Sequence, residues 1–169
     1  MDSTPTAAQR RLSVALFALP LLAALAVRLK ALGWGLPLRY AHIDESVVTF
    51  YSLKIAEGDL RPVFFDYPSF FLNLSAAAFR LAAGVGAFFS GLSLEDRLLL
   101  YSAGDGSFFT LVTRVLSLGF ALGTVALLVQ AGRKQGSLAV GVTAGLCLAF
   151  NPLHLRHSQY GTVDAAVTL

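Results

Sequence analysis

The chain has 169 residues, 56% of them hydrophobic and 14% charged, with a formal net charge of +3. A soluble domain carries about 25% charged residues, so this chain has too few charges to cover a water-facing surface and too much apolar material for one small core. These proportions exclude a disordered chain, a collagen and a disulfide scaffold, disfavour an ordinary soluble enzyme, and point to a membrane protein.

The basic excess does not indicate nucleic acid. Arg10 and Arg11 open the chain and Arg133 and Lys134 separate two apolar runs, which is how basic residues are placed at the ends of membrane spans rather than along a basic face. Cys147 is the single cysteine and sits in an apolar run, where it reads as a small hydrophobe. In chain order, residues 1–11 form a basic, cytoplasmic N-terminus and residues 12–36 a transmembrane helix, since about 20 apolar residues cross the hydrocarbon layer. Arg28 and Lys30 must then snorkel or face protein. A cleavable signal peptide ending at Ala24-Leu25-Ala26 is the rival reading. Trp34 and Tyr40 mark the membrane–water boundary.

Residues 37–109 form an outer loop. Its first part, Pro37 to Tyr67, holds Asp44, Glu45, Glu57, Asp59 and Asp66, half of the chain's 10 acids. A short helix is expected over Ser46–Ala56, closed by Gly58 and a loop through Pro62. Residues 69–90 are apolar, with Arg80 in the middle as an interfacial anchor. Phe64, Phe65, Phe70 and Phe71 are packing or lipid contacts. Two cleaner spans follow, 110–131 and 137–156, joined by the cytoplasmic turn 132–136. Both basic points, Arg10-Arg11 and Arg133-Lys134, belong on one side, so an even number of crossings separates them. That parity makes 69–90 an interfacial or re-entrant helix. It also puts the acidic stretch and residues 157–169, an outer loop leading into a next helix, on the opposite side. The run beginning at Asp164 looks like a helix cut short, and the chain reads as a piece of a longer protein. Gly119–Gly123 and Gly141–Gly145 fit small-xxx-small packing, and no glycine-rich stretch has the setting of a nucleotide-binding loop.

The sharpest local pattern is His42-Ile43-Asp44-Glu45. Adjacent carboxylates after a first span are helix-start residues, with Asp44 as a cap, or they line a wet site where they bind a cation or do acid–base work. His154 and His157 share a helix face and, with carboxylates, form a possible divalent-cation site. Asp164 is either a cap or a site residue.

This arrangement resembles the N-terminal part of the GT-C superfamily of membrane glycosyltransferases, in particular the group with the protein O-mannosyltransferases and the bacterial aminoarabinose transferase that modifies lipid A. The resemblance rests on Asp44-Glu45 in the first outward loop, Gly58 ending a short helix, Asp66-Tyr67-Pro68-Ser69-Phe70 opening an interfacial helix, Arg114 at the head of a span, and Asn151-Pro152, Ser158 and Asp164 in order at the end of another. Two positions depart from the pattern. Tyr67 stands where some members have Lys, and Leu116 replaces a Pro.

The resemblance implies an all-α integral membrane fold with interfacial helices in the first outer loop. It also implies a bacterial plasma-membrane location with an outward-facing site. Sugar would pass from a polyprenyl-phosphate donor to a glycan, lipid or protein acceptor, with inversion. Asp44 would be the catalytic base, Glu45 its supporting carboxylate, and His42, Asp66, Tyr67, Ser158 and Asp164 substrate contacts. The leaving phosphate needs positive charge, for which Arg114 is implied by family position and Lys54, Arg61 and Arg156 by location. The competing reading is a transporter or scaffold fragment whose carboxylates line an ion path.

Overall fold

Thr6 opens the first helix with a reciprocal cap: its hydroxyl accepts from the Gln9 amide at 3.3 Å and its own amide donates to the Gln9 side chain at 2.8 Å. In the computed structural model, which describes residues 6–38, 42–60, 64 and 66–169, this helix, α1, runs Ala7–Leu29. It is followed by α2 (Ile43–Ala56), α3 (Ser69–Ser90), α4 (Leu94–Ala103), α5 (Ser107–Gln135), α6 (Leu138–Ala149), α7 (Pro152–His157) and α8 (Asp164–Val167). Helix accounts for 76% of the described residues, and no strand occurs among them. The chain is all-α, and α1, α3 and α5 are long and apolar enough to cross a membrane.

The longest helix, α5, is a spine shared by two groups of helices. Its C-terminal half buries Val125 and Val129 against Ala24 of α1 and Ala149 of α6. Its N-terminal end buries Phe109 against Ala56 of α2, Ala76, Phe79 and Ala83 of α3, and Leu98 of α4. A third cluster at mid-height joins Val48, Phe71 and Leu72 to Leu116, Phe120 and Ala166. So α1 and α6 pack on one half of α5, and α2 and α3 on the other. Many large apolar side chains face outward, among them Phe88 at 84% and Phe89 at 82% exposure on α3, and Leu12, Val14, Leu22 and Leu127. With three helices long and apolar enough to cross a membrane, this outer shell is consistent with lipid contact.

Several expected boundaries shift. The first helix begins earlier than 12 and ends at Leu29, and residues 31–37 form turns. The helix expected over Ser46–Ala56 starts at Ile43, because His42 is the extended N-cap residue. The helix over 69–90 appears as drawn, closed by Gly91 in the left-handed region at φ 70°. Helix α4 was not foreseen; Ser93 caps it through the Asp96 amide. The span expected over 110–131 extends to Ser107–Gln135, leaving only Gly136 and Ser137 before α6. The span expected over 137–156 is broken. Asn151 caps a new helix with Pro152 in its first turn, and α6 has 12 residues, a rise of about 18 Å against a hydrocarbon layer of about 30 Å.

Glycine sets the α5–α6 hairpin. A Cβ on Gly132 would come within 2.6 Å of the Gly141 Cα, and one on Gly145 within 2.5 Å of Val129 and 3.0 Å of Pro20. At Gly141 the two backbones therefore touch, and at Gly145 the Val129 and Pro20 side chains fill the space a Cβ would take, the close approach a small-xxx-small pattern allows. The same pattern at Gly119–Gly123 fares differently: Gly119 faces open space and Gly123 meets only the Leu169 side chain.

The charges expected to snorkel or to face protein divide between the two. Lys30 is exposed, whereas Arg28 is fully buried against protein. Its Nε donates to Ser158 at 2.7 Å, Nη1 to the carbonyls of Ala24 and Ala149, and Nη2 to His154 Nδ1 at 2.8 Å. An acceptor Nδ1 makes His154 the neutral Nε2–H tautomer. Arg80 donates to the Ala56 carbonyl at the C-terminus of α2, where positive charge complements the helix dipole.

Candidate functional site

The N-terminus of α2, the upper part of α5, and the 158–163 loop with α8 meet at one end of the helix group. What holds them together is Glu45. Its residue is 3% exposed and its partner Arg114 1%. Arg114 Nε and Nη2 donate to the two carboxylate oxygens at 2.7 and 2.8 Å, a bidentate fork. Arg114 Nη1 donates to the carbonyls of Leu32 and Trp34, both at 2.7 Å. The Gly161 amide donates to the same Glu45 oxygen at 2.7 Å. One ion pair therefore pins α2, α5, the turn after α1 and the loop before α8. Gly161 is obligatory there, because a Cβ would overlap the Thr113 hydroxyl.

Around this clamp the remaining acids gather on the surface. Asp44 is exposed in the first turn of α2 and is not its cap. Tyr67 donates its hydroxyl to Asp44, and the charges of Asp164 and Asp66 also act on it. Burial first, then the bond and charge of Asp44, push the Tyr67 phenol up to about 12, so it is a neutral donor at physiological pH. Asp164 is half exposed. It accepts from the Thr162 hydroxyl at 2.7 Å and lies 3.3 Å from His157 Nδ1. Aromatic packing closes one edge: His42 stacks on Tyr160 at 4.1 Å, and Trp34 meets Tyr160 edge-on at 6.1 Å. On the other edge Tyr51 stacks on Phe64, which meets Tyr67.

The sequence-predicted candidates therefore divide. Asp44, Asp66, Tyr67 and Asp164 come together, with His42 at the rim. Glu45 and Arg114 come to the same place but are buried in each other, which leaves neither carboxylate nor guanidinium facing a ligand. The phosphate contact expected of Arg114 is replaced by a clamp. Ser158 is likewise 1% exposed and holds Arg28 while donating to the Leu155 carbonyl. Lys54 lies ten residues along α2 from Asp44, about 15 Å at the helical rise, and its ammonium sits 4.8 Å from the Phe50 ring centroid. Arg156 is exposed in the last turn of α7, next to His157. Arg61, Tyr40 and Phe65 lie outside the described residues. His154 and His157 do not form a pair: His154 turns to Arg28 and His157 to Asp164. Among the described residues no group of three or more His, Cys, Asp or Glu is arranged to hold a metal ion.

Tyr160, Gly161 and Thr162 were not picked out from the sequence. The one signal was their position between two chosen residues, Ser158 and Asp164. Comparison of the chain with protein-family models, with curated proteins and with solved structures finds no match.

Proposed function

We propose that this chain carries the catalytic carboxylate of a membrane glycosyltransferase of the GT-C type. In this reading a hexose or pentose moves from a polyprenyl-phosphate donor to a lipid, glycan or protein acceptor at the outer face of a bacterial plasma membrane. The supporting observation is that the Tyr67 hydroxyl bonds to Asp44 and feels the charges of Asp164 and Asp66, although Asp44 and Asp164 are 120 positions apart in the chain.

The chemistry follows from that convergence. Asp44 takes the proton from an acceptor hydroxyl. The oxygen forms a bond to the anomeric carbon while the carbon–oxygen bond to phosphate breaks, and the electron pair leaves with the polyprenyl phosphate. In-line attack inverts the anomeric centre. Tyr67 fixes the direction of the Asp44 carboxylate, and Asp164 with His157 and Thr162 provides polar groups for sugar hydroxyls. With Arg114 engaged by Glu45, Arg156, exposed and next in the chain to His157, is the described cation assigned to the departing phosphate.

The placement of the site at a membrane boundary has its own support. Counting back about 20 residues from Arg133, the length of a span, reaches Thr113, beside the Arg114–Glu45 clamp. Counting forward by the same length from Arg10 reaches Lys30, just before Trp34. By this count α1 and α5 end at one level, that of the Arg114–Glu45 clamp, which suits a donor anchored in the lipid.

Asp44→Asn tests the reading. In membranes that hold the full-length protein, of which this chain is read as the N-terminal part and inactive alone, and that are supplied with a polyprenyl-phosphate sugar, loss of the base lowers transfer by about 10²–10⁴-fold, while protein level and helical circular dichroism stay at wild type because Asp44 is exposed. Retained turnover removes Asp44 as the base.

A further inference from the structure

At the end opposite the carboxylates, α1 and α5 border an open cavity of about 580 Å³ lined by Arg10, Ser13, Val14, Phe17, Gln130 and Arg133. We propose that this cavity binds an anionic phospholipid, with the phosphate between Arg10 and Arg133 and the start of an acyl chain on Val14 and Phe17.

Charge, polarity and position each support it. The two arginines come from helices 123 positions apart, and no Asp or Glu occurs anywhere between Ala7 and Leu38 or between Ser107 and Val163. No carboxylate on α1, α5 or α6 offsets these guanidiniums. The first turn of α1 also lacks an acid, so Arg10 adds positive charge to the positive end of a helix dipole, an arrangement that an anion relieves. Along the helices Arg10 and Arg133 lie nearest the ends, Ser13, Val14 and Gln130 about one turn deeper, and Phe17 about two turns deeper, so both guanidiniums sit at the mouth and the deepest lining side chain is apolar. On the same helix Leu12, outside the lining, is 61% exposed and Val14, within it, 69% exposed, so the site opens onto the apolar outer face of α1. A guanidinium pair suits phosphate oxygens, and basic pockets between spans take lipid headgroups of this kind. The inference rests on α1 and α5 being membrane helices and does not depend on glycosyl transfer, so failure of the Asp44 test leaves it untouched.

The test is a binding titration of the delipidated, detergent-solubilised protein with phosphatidylglycerol and with phosphatidylcholine, read by native mass spectrometry. Phosphatidylglycerol binds preferentially. Arg10→Gln and Arg133→Gln each weaken it about fivefold, and the double variant about thirtyfold. Arg11→Gln with Lys134→Gln removes the same charge from residues outside the lining and leaves the affinity near wild type. Inorganic phosphate at millimolar concentration does not displace the lipid, because it lacks the apolar contacts. Equal binding of the two lipids overturns the proposal. So does an equal loss in the two double variants, which reduces the effect to general surface attraction, and so does displacement by inorganic phosphate, which leaves a simple anion site.

Discussion

Asp44 and Glu45 are neighbours in sequence with opposite fates, because successive residues on a helix point about 100° apart. One side chain faces water and Tyr67; the other faces the interior and Arg114. Substitution should separate their roles. Glu45→Gln leaves the Arg114 guanidinium buried without an anion and costs about 3–5 kcal/mol. It is read as a lowered thermal midpoint in detergent with loss of helical signal. Replacing the pair together, Glu45→Leu with Arg114→Met, recovers only part of that stability: desolvating two charges offsets much of what their attraction returns, but the Gly161 amide and the Leu32 and Trp34 carbonyls lose their partners. If Glu45→Gln folded as well as wild type and lost only turnover, Glu45 would belong to the chemistry instead. The distinction was not legible in the sequence. Glu45's partners, Arg114 and Gly161, lie 69 and 116 positions away, and the Asp-Glu dipeptide is equally compatible with two solvated carboxylates.

Helix ends were read best where local chemistry sets them. Pro68 and Gly91 bracket α3, and both are visible as a stop and a left-handed cap. The break between α6 and α7 carried a signal of the same kind, Asn151-Pro152, but the apolar residues on either side outweighed it in a reading based on hydrophobic length. Glycine spacing was a weaker guide still, because two identical patterns have different surroundings. Gly141→Ala forces its Cβ into the Val129 carbonyl and the Arg133 amide. Both are backbone groups that cannot turn aside, so the α5–α6 hairpin must open and stability falls by about 1–3 kcal/mol. Gly119→Ala meets nothing within 4 Å and gains up to about 1 kcal/mol from helix propensity. Thermal denaturation of the two variants in the same detergent checks this, and a larger loss at Gly119 would place the contact face of α5 elsewhere.

At the scale of the whole molecule the deciding question is how many times the chain crosses the membrane. Leu32 and Trp34, at the end of α1, meet Arg114, near the start of α5, so the connection between them leaves and returns at one level. A segment that does so crosses an even number of times, and among the described residues α3 is the one helix within it long and apolar enough to cross. Its contacts support the same view, because α3 packs on α2, α4 and the N-terminal half of α5, and the main partners of α1 are α5 and α6. Arg10 and Arg133 lining one cavity also fits an α1 and α5 that cross once each, in opposite directions. Single cysteines in a Cys147→Ser background, labelled with a membrane-impermeant maleimide in sealed vesicles, give the count. Asp44→Cys, Asp164→Cys and Phe89→Cys react from one side, and Arg133→Cys reacts only after the vesicles are opened. Phe89 reacting with Arg133 instead of with Asp44 would make α3 a span. Asp44 and Asp164 reacting from different sides would separate the carboxylates and with them the proposed chemistry.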